Sequence, residues 1–250
     1  MLEVAAAWRK REAERRRSRG KVGSAVNRKL VIAHRGVHEG AAENTIRSFV
    51  NAIDVGADLI EFDVRLTSDG EMIAFHDSHV KGTPVGQLTR AQITSETGAA
   101  PPLLQEVLGL CAGKIGLDVE LKEGGYVNRV TEALRNTVDL GQVVVTSFLP
   151  EVVEEAKSLL PEVRTGLLVG ARNLYPIGTA TQIGADYLAP HVNLARMGVL
   201  RRAAQAGLPC LVWTANSDAL IRAFAADPRV AGIITDRAER ALQLVASIQR

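Results

Sequence analysis

Four short apolar runs in the first half of this sequence end in residues suited to acid, base or metal chemistry. These runs are Ile32-Ala33-His34-Arg35-Gly36, Ile60-Glu61-Phe62-Asp63-Val64, Phe75-His76-Asp77 and Leu117-Asp118-Val119-Glu120-Leu121-Lys122. Glu61 and Asp63 are two residues apart, so on a strand both side chains point to the same side. Two carboxylates in a partly desolvated place repel each other, and a divalent cation removes that repulsion. The spacing therefore predicts a metal site.

Glu120 is expected to supply a third oxygen ligand to this metal from a neighbouring strand. An all-oxygen ligand set favours Mg²⁺ or Ca²⁺ over Zn²⁺, and the sequence does not choose between the first two. Asp118 shares the face of Glu120 and is a rival ligand. Each carboxylate alone could equally form an ion pair with a nearby Arg or Lys, but three that converge at strand ends favour the metal.

Arg35 and Lys122 add positive charge to the same strand ends. A guanidinium is seldom buried without an anion, and its planar fork suits a phosphate. Lys122 lies two residues after Glu120, on the same side of the strand. Two cations beside a metal describe a site for a phosphoryl group, where catalysis consists mainly of positioning and charge stabilisation.

His34 and His76 are the candidates for proton transfer. One would accept a proton from the attacking hydroxyl and the other would donate one to the leaving oxygen. Taken alone, His34 would more often be a hydrogen-bonded core residue, and the adjacent arginine favours a functional role. His38 and His79 lie in predicted loops and are less well placed, while His191 follows a later strand and is an alternative substrate contact.

Short apolar segments alternate with amphipathic segments eight times from about residue 30 onward. The candidate strands are Leu30–His34, Leu59–Val64, Ile115–Leu121, Val143–Ser147, Arg164–Val169, Asp186–Pro190, Pro209–Thr214 and Gly232–Thr235. They are nearly all apolar, as expected for strands covered on both faces. Helical patterns such as Asn44–Val55 and Asp218–Ala226 lie between them. Eight βα units in about 220 residues predict an α/β fold, a (β/α)8 TIM barrel, with its site at the C-terminal ends of the strands.

Two segments fall outside this alternation. Glu71–His76 is interpreted as an extra short strand, followed by a Gly-, Thr- and Pro-rich stretch to Pro102, and together they predict a small insertion after strand two. The first thirty residues hold ten Lys and Arg against three Asp and Glu. The predicted division is a basic N-terminal extension at residues 1–29 and a TIM-barrel domain at residues 30–250.

The composition indicates one folded domain and excludes a mainly disordered chain, since 46% of the 250 residues are hydrophobic and the net charge is only +2. The basic extension is interpreted as solvated, with peripheral contact to an anionic membrane as the alternative and no specific binding of nucleic acid. Neither a secretion signal nor a transmembrane span is visible, so a cytoplasmic location is expected. Cys111 and Cys210 form no paired motif, and the sequence carries no signal for the oligomeric state.

Taken together, the motifs resemble the glycerophosphodiester phosphodiesterase family. The resemblance runs through His34-Arg35-Gly36, Glu43-Asn44-Thr45, Ile60-Glu61-Phe62-Asp63-Val64-Arg65, Asp69-Gly70, His76-Asp77, Val119-Glu120-Leu121-Lys122, Val212-Trp213-Thr214-Ala215-Asn216 and Gly232-Ile233-Ile234-Thr235-Asp236. It covers roughly residues 30–240, in the family's order and at compatible spacing. So many ordered motifs are far more specific than one short pattern.

The resemblance implies a TIM barrel that hydrolyses small glycerophosphodiesters, such as glycerophosphocholine, to sn-glycerol 3-phosphate and an alcohol. It implies the metal ligands Glu61, Asp63 and Glu120, the acid/base pair His34 and His76, and the substrate-binding residues Arg35, Lys122, Trp213, Glu43 and Asn44. Alternatives remain for two of these, since Asn44 could be a helix N-cap and Trp213 an ordinary aromatic of the barrel rim. For Glu43 a contact with Arg35 or His34 is expected.

The sequence departs from the family pattern at a few points. Ala42 stands where proline is usual, and the segment Lys81–Ala100 lacks a clear Arg-Thr-Thr segment, which leaves the head-group alcohol open. One alternative function is the same barrel acting on lysophospholipids or another phosphodiester. A second, of a different class, is a non-catalytic binding module, although a decayed site should have lost some of the principal residues and none is missing.

Overall fold

The computed structural model describes residues 29–170 and 175–248, and eight strands form its centre. They are β1 Leu30–His34, β2 Leu59–Leu66, β3 Gly116–Leu121, β4 Val143–Ser147, β5 Arg164–Val169, β6 Tyr187–Pro190, β7 Cys210–Val212 and β8 Val230–Thr235. Neighbours pair in parallel from β1 to β8, and β1 pairs with both β2 and β8, so the sheet closes. The predicted TIM barrel is confirmed.

The strands bury both of their faces, which explains why they are almost continuously apolar. One face fills the barrel interior with Ile32, Leu59, Val144, Leu168, Tyr187, Ala189, Leu211 and Ile234. The other face, which includes Phe62, Val119 and Leu167, packs in the larger core between the strands and the helices. Because the interior is packed, only the side chains at the C-terminal strand ends line an open mouth.

Helices cover the outside of the barrel. They are α1 Ile46–Val55, α2 Arg90–Thr97, α3 Leu104–Cys111, α4 Val127–Thr137, α5 Pro150–Leu159, α6 Pro176–Gln182, α7 Val192–Leu194, α8 Leu200–Gln205, α9 Asp218–Ala226 and α10 Ala238–Ile248. Helix α1 begins with a capping box, in which Thr45 and Ser48 each accept a hydrogen bond from the other's backbone N–H at 3.2 Å. It ends at Gly56, whose φ of 76° is a left-handed conformation that glycine adopts without strain.

The predicted insertion follows β2. Met72–Ala74 pairs antiparallel with β2, three residues shorter than the predicted strand Glu71–His76. A two-stranded ribbon of His79–Val80 and Thr83–Pro84 comes next, and then helix α2. No helix was predicted within this Gly-, Thr- and Pro-rich stretch. Thr89 and Gln92 nevertheless form a capping box that begins α2, although the helix is only weakly amphipathic.

Within the two described ranges, none of the helices has the length and apolar content that crossing a bilayer demands. Residues 1–28 of the basic extension lie outside the described residues, so its predicted role stays a prediction.

Candidate active site

Three carboxylates of β2 and β3 meet at the barrel mouth. The parallel register places Glu61 beside Asp118 and Asp63 beside Glu120. One oxygen of each of Glu61, Asp63 and Glu120 lies within 4.8 Å of the other two, and all three residues are buried. The structure therefore brings together the three residues that were predicted as metal ligands.

Burial dominates the electrostatics of these acids. Burial, followed by the charges of Asp63 and Glu120, raises the pKa of Glu61 well above its usual range. Burial and then the charge of Asp63 raise the pKa of Glu120 to about 7. Burial opposes ionisation of Asp63 as well, but the charges of Lys122 and Arg35 outweigh it and lower the pKa of Asp63. The cluster therefore holds three carboxyl groups, and the two neighbouring cations cannot balance three negative charges.

A divalent cation fits this cluster. Oε1 of Glu61 is buried and has no hydrogen-bond partner within residues 29–170 and 175–248, and such an atom costs free energy unless a ligand satisfies it. Three carboxylate oxygens are also the donor set that hard cations such as Mg²⁺ and Ca²⁺ prefer. Both observations match a metal held by Glu61, Asp63 and Glu120.

Asp118, the rival ligand, lies outside this group of three. Its Oδ1 accepts a hydrogen bond from Oγ1 of Thr146 at 2.8 Å, and burial raises its pKa to about 7. The residue is fully buried on the cavity wall. Asp118 therefore lies beside the cluster, and its burial favours the protonated form of its carboxyl group.

Two cations are paired with the acids. Nζ of Lys122 lies 3.0 Å from Oδ1 of Asp63 and 2.6 Å from Oε1 of Glu120. Nε of Arg35 lies 3.3 Å from Oδ2 of Asp63, and its Nη1 donates to Oε1 of Glu43 at 2.7 Å. The expected contact between Glu43 and Arg35 is thus present. Because Lys122 and Arg35 both line the open cavity, both can face an anionic ligand.

Asn44 holds Asp63 by two hydrogen bonds. Its Nδ2 donates to Oδ2 of Asp63 at 2.8 Å, and its Oδ1 accepts from the backbone N–H of Asp63 at 3.3 Å. The alternative that Asn44 is a helix N-cap was wrong, because Thr45 occupies that position. Asn44 instead adopts a φ of 53°, which asparagine tolerates better than most residues. Its predicted contact with substrate stays a prediction.

His34 is oriented by a carboxylate from the far end of the sequence. Its Nδ1 lies 2.6 Å from Oδ1 of Asp236, and its Nε2 lies 3.9 Å from Oε2 of Glu61. Burial opposes ionisation of Asp236, yet the hydrogen bond and charge of His34 prevail and lower the pKa of Asp236 to about 2. Asn216 donates to the other oxygen of Asp236, and Nε2 of His38 lies 3.5 Å from Oδ1. The ionised carboxylate favours a proton on Nδ1 of His34, which leaves Nε2 for chemistry in the cavity.

His76 reaches the same cavity from the segment after Met72–Ala74. Its Nδ1 lies 2.9 Å from Oδ1 of Asp77, and its side chain is 36% exposed. Its backbone carbonyl accepts hydrogen bonds from Nε and Nη2 of Arg65 at 2.9 and 2.8 Å. The two histidines predicted for proton transfer therefore line one cavity together with Glu61 and Glu120.

Aromatic side chains form another part of the cavity wall. The Trp213 ring meets Phe148 edge-on at a centroid distance of 5.5 Å and His191 at 5.0 Å. Nε1 of Trp213 donates to the carbonyl of Ala189 at 2.7 Å, which fixes the ring. Trp213 and Phe148 line the cavity. His191 packs against Trp213, and its alternative role as a substrate contact stays a prediction.

The sequence profile of the glycerophosphoryl diester phosphodiesterase family matches residues 34–240. The chain belongs to this family. A glycerophosphodiester phosphodiesterase of Caldanaerobacter subterraneus subsp. tengcongensis is 30% identical over 238 residues, which cover 86% of this chain and 97% of that protein. Human glycerophosphodiester phosphodiesterase 1 is 32% identical over 158 residues, which cover 54% of this chain and 47% of that protein.

Solved phosphodiesterase structures share the fold of this family member. A glycerophosphodiester phosphodiesterase from Parabacteroides distasonis superposes with a TM-score of 0.77 at 24% identity, covering 89% of this chain and 99% of that chain. A phosphodiesterase from Oleispira antarctica, solved in complex with the product sn-glycerol-3-phosphate, superposes with a TM-score of 0.76 at 22% identity, covering 89% and 98%.

Three residues of this phosphodiesterase site had no role predicted from the sequence. Asn216 and Asp236 belong to motifs that resemble the family, and Phe148 belongs to none of those motifs. A signal was available for Asp236, because it directly follows β8 and barrel enzymes place polar functional residues at such strand ends. For Phe148, a large aromatic directly after β4 was the comparable signal.

Proposed function

We propose that this chain hydrolyses small glycerophosphodiesters to sn-glycerol 3-phosphate and an alcohol, with a divalent metal and with His34 and His76 as the proton-transfer pair. One observation carries the proposal: both histidines line a single cavity with the buried acids Glu61 and Glu120. Membership of the family supports the reaction class, and the Oleispira antarctica structure with sn-glycerol-3-phosphate supports the product.

Glu61, Asp63 and Glu120 would hold the metal, which when bound supplies positive charge to phosphate oxygens and to the attacking group. Mg²⁺ and Ca²⁺ both suit the oxygen ligands. Asn44 orients Asp63 through its two hydrogen bonds, as residues behind a ligand set commonly do.

Arg35 and Lys122 would bind the phosphate, because both cations are partly buried at the cavity and a diester phosphate carries one negative charge. His34, with Nδ1 held by Asp236, presents Nε2 for proton transfer. His76 lines the same cavity and would take the opposite role, so that one histidine accepts the proton of the attacking hydroxyl and the other protonates the leaving oxygen.

The test measures release of sn-glycerol 3-phosphate from glycerophosphocholine. His34→Ala and His76→Ala should each lower kcat by at least about 10²-fold while the far-ultraviolet spectrum stays unchanged. His79→Ala is the matched control, because the His79 side chain is exposed and its one described hydrogen bond is to the neighbouring Ser78. Turnover that survives both active-site variants, or that persists after EDTA treatment, contradicts the proposal.

A second substrate class is favoured by the aromatic wall. Trp213 and the 38% exposed Phe148 offer apolar surface beside the catalytic groups, and an acyl chain of a lysophospholipid could pack there. Comparing glycerophosphocholine with lysophosphatidylcholine separates the two classes, because the first yields glycerol 3-phosphate and the second yields lysophosphatidic acid.

The domain division is part of the proposal. All of the site residues lie within residues 34–236, which the family profile covers. Deleting residues 1–28 should therefore leave kcat for glycerophosphocholine within about twofold. Loss of both folding and turnover on that deletion would show that the extension belongs to the catalytic domain.

A further inference from the structure

Arg65 is a buried cation that the proposed chemistry does not use. It lies on β2, two residues after Asp63, and its side chain is only 8% exposed. Its Nε and Nη2 both donate to the backbone carbonyl of His76, at 2.9 and 2.8 Å, and its Nη1 pairs with Glu123. Hydrogen bonds from a charged guanidinium are stronger than those between neutral groups. Here two N–H groups of the guanidinium donate to the same carbonyl oxygen.

The partner carboxylate of Arg65 is itself held in place. The Tyr126 hydroxyl lies 3.0 Å from Oε2 of Glu123 and 2.7 Å from the carbonyl of Val64, and it can donate its single proton to either. Tyr126 is almost completely buried at the start of α4. The guanidinium is therefore fixed from the β3 side by Glu123 and extends to the segment that carries His76.

Among the described residues, the His76 side chain has one hydrogen-bond or ion-pair partner, Asp77. Its imidazole is 36% exposed, and its side-chain partner Asp77 is an adjacent residue that is 71% exposed. An exposed pair of neighbouring residues contributes little rigidity. The two charge-assisted hydrogen bonds to the carbonyl are the stronger restraint on this residue, because they tie its backbone to the barrel wall.

We propose that Arg65 is a positioning residue that holds His76 in its working place through the His76 backbone carbonyl, with Glu123 and Tyr126 as its support. This inference rests on the proposed function, since it assigns Arg65 a part in placing the proton-transfer group. A displacement of about 1 Å at a reacting group can cost about 10²-fold in rate, which sets the size of the expected effect.

The experiment compares Arg65→Met with the wild-type chain on glycerophosphocholine. Arg65→Met should lower kcat by about 10²-fold with KM changed less than about threefold, because the phosphate is proposed to bind to Arg35 and Lys122 rather than to His76. The matched control is Arg164→Met. Arg164 likewise donates to a backbone carbonyl, that of Gly141 at 2.7 Å, but lies at the first residue of β5, far from the mouth, and its loss should leave kcat within twofold.

A double-mutant cycle separates positioning from general destabilisation. Adding Arg65→Met to His76→Ala should change the residual rate by less than twofold, because Arg65 acts through the residue already removed. Equal losses in the wild-type and His76→Ala backgrounds overturn the inference. Arg65→Lys keeps the charge without the fork and serves if Arg65→Met fails to fold; it should recover only part of kcat.

Nuclear magnetic resonance of the histidine rings tests the positioning role of Arg65 when the residual rates of the variants are too low to measure. In protein labelled at the histidine ring carbons, the His76 signal should shift or broaden in Arg65→Met, while the His34 signal stays in place. An unchanged His76 signal overturns the inference. If the wild-type chain does not hydrolyse glycerophosphocholine, the proposed function fails, and the ring signal still reports whether Arg65 positions His76.

Discussion

The carboxylate of Asp236 lies 2.6 Å from Nδ1 of His34, although 202 positions separate the two residues in the chain. The contact exists because β1 pairs with β8 where the barrel closes, with Ala33 opposite Thr235. His34 follows Ala33 as the last residue of β1, and Asp236 follows Thr235 directly after the end of β8. The pairing of β1 with β8, the closing seam of the barrel, thus brings His34 to the carboxylate that orients it.

Replacing Asp236 by Asn should lower kcat by at least about 10²-fold with a small change in KM. The amide keeps the shape but can present its N–H to Nδ1, which favours the tautomer with the proton on Nε2. The measurement is steady-state hydrolysis of glycerophosphocholine. Asp218→Asn is the control, because Asp218 pairs only with surface arginines among the described contacts; an equal loss in that variant would contradict the orienting role.

Asp236 should also contribute to stability in a defined pH range. Its pKa in the folded chain is about 2, below the usual 3.8, because the interaction with His34 outweighs burial. A depressed carboxyl pKa stabilises the fold above about pH 4, and this stabilisation disappears as the pH falls through about 2. The difference in unfolding free energy between the wild type and Asp236→Asn should therefore shrink from pH 5 to pH 2, as measured by urea unfolding.

Chelating the metal should make stability depend on pH in the opposite direction. Burial raises the pKa of Glu120 to about 7 and the pKa of Glu61 well above its usual range. In the metal-free chain the folded state then binds protons that the unfolded state has lost, so stability should rise as the pH falls from 8 toward 5. Added Mg²⁺ or Ca²⁺ should raise Tm most at pH 8, because ligand carboxylates must be deprotonated. A gain that is largest at pH 5 would argue against this site.

Two substitutions of Asn44 should have the same effect on activity but different effects on stability. Asn44→Gly and Asn44→Ala both remove the two hydrogen bonds to Asp63, so both should lower kcat/KM by about 10- to 100-fold, as is usual for residues that orient metal ligands. Only alanine is strained at a φ of 53°, so Asn44→Ala should be less stable than Asn44→Gly by about 1 kcal/mol. Denaturant unfolding of the two variants tests this difference.

Gly36 should not tolerate a side chain. A Cβ built there would lie 2.7 Å from the backbone carbon of Ser48, and its φ of 83° is left-handed as well. Gly36→Ala should therefore cost about 3 kcal/mol from strain and overpacking together. Gly40→Ala, at a φ of 75° with open space around it, isolates the strain and should cost about 1 kcal/mol. Equal losses in the two variants would show that Ser48 moves aside easily.

The barrel strands were predictable because each is buried on both faces and leaves a continuous apolar run. The bounds of β1, β4 and β5 agree with the predicted ones to the residue. Helix ends were less predictable, since side-chain caps decide them. With Thr45 as its N-cap, α1 begins at Ile46, two residues after the predicted start at Asn44. The capping box at Thr89 likewise begins α2 within the insertion, where no helix was predicted.

The sequence alone determined the fold class and the grouping of Glu61, Asp63 and Glu120, because strand periodicity and parallel neighbours place residues of known spacing on one face. Only the tertiary structure decided which residues orient that chemistry. Asp236 reaches His34 across the closing seam, and Arg65 reaches the carbonyl of His76 across a hairpin. Such contacts form only when the sheet closes and the hairpin segment folds back. The spacing of residues along the sequence does not predict where these two events place distant side chains.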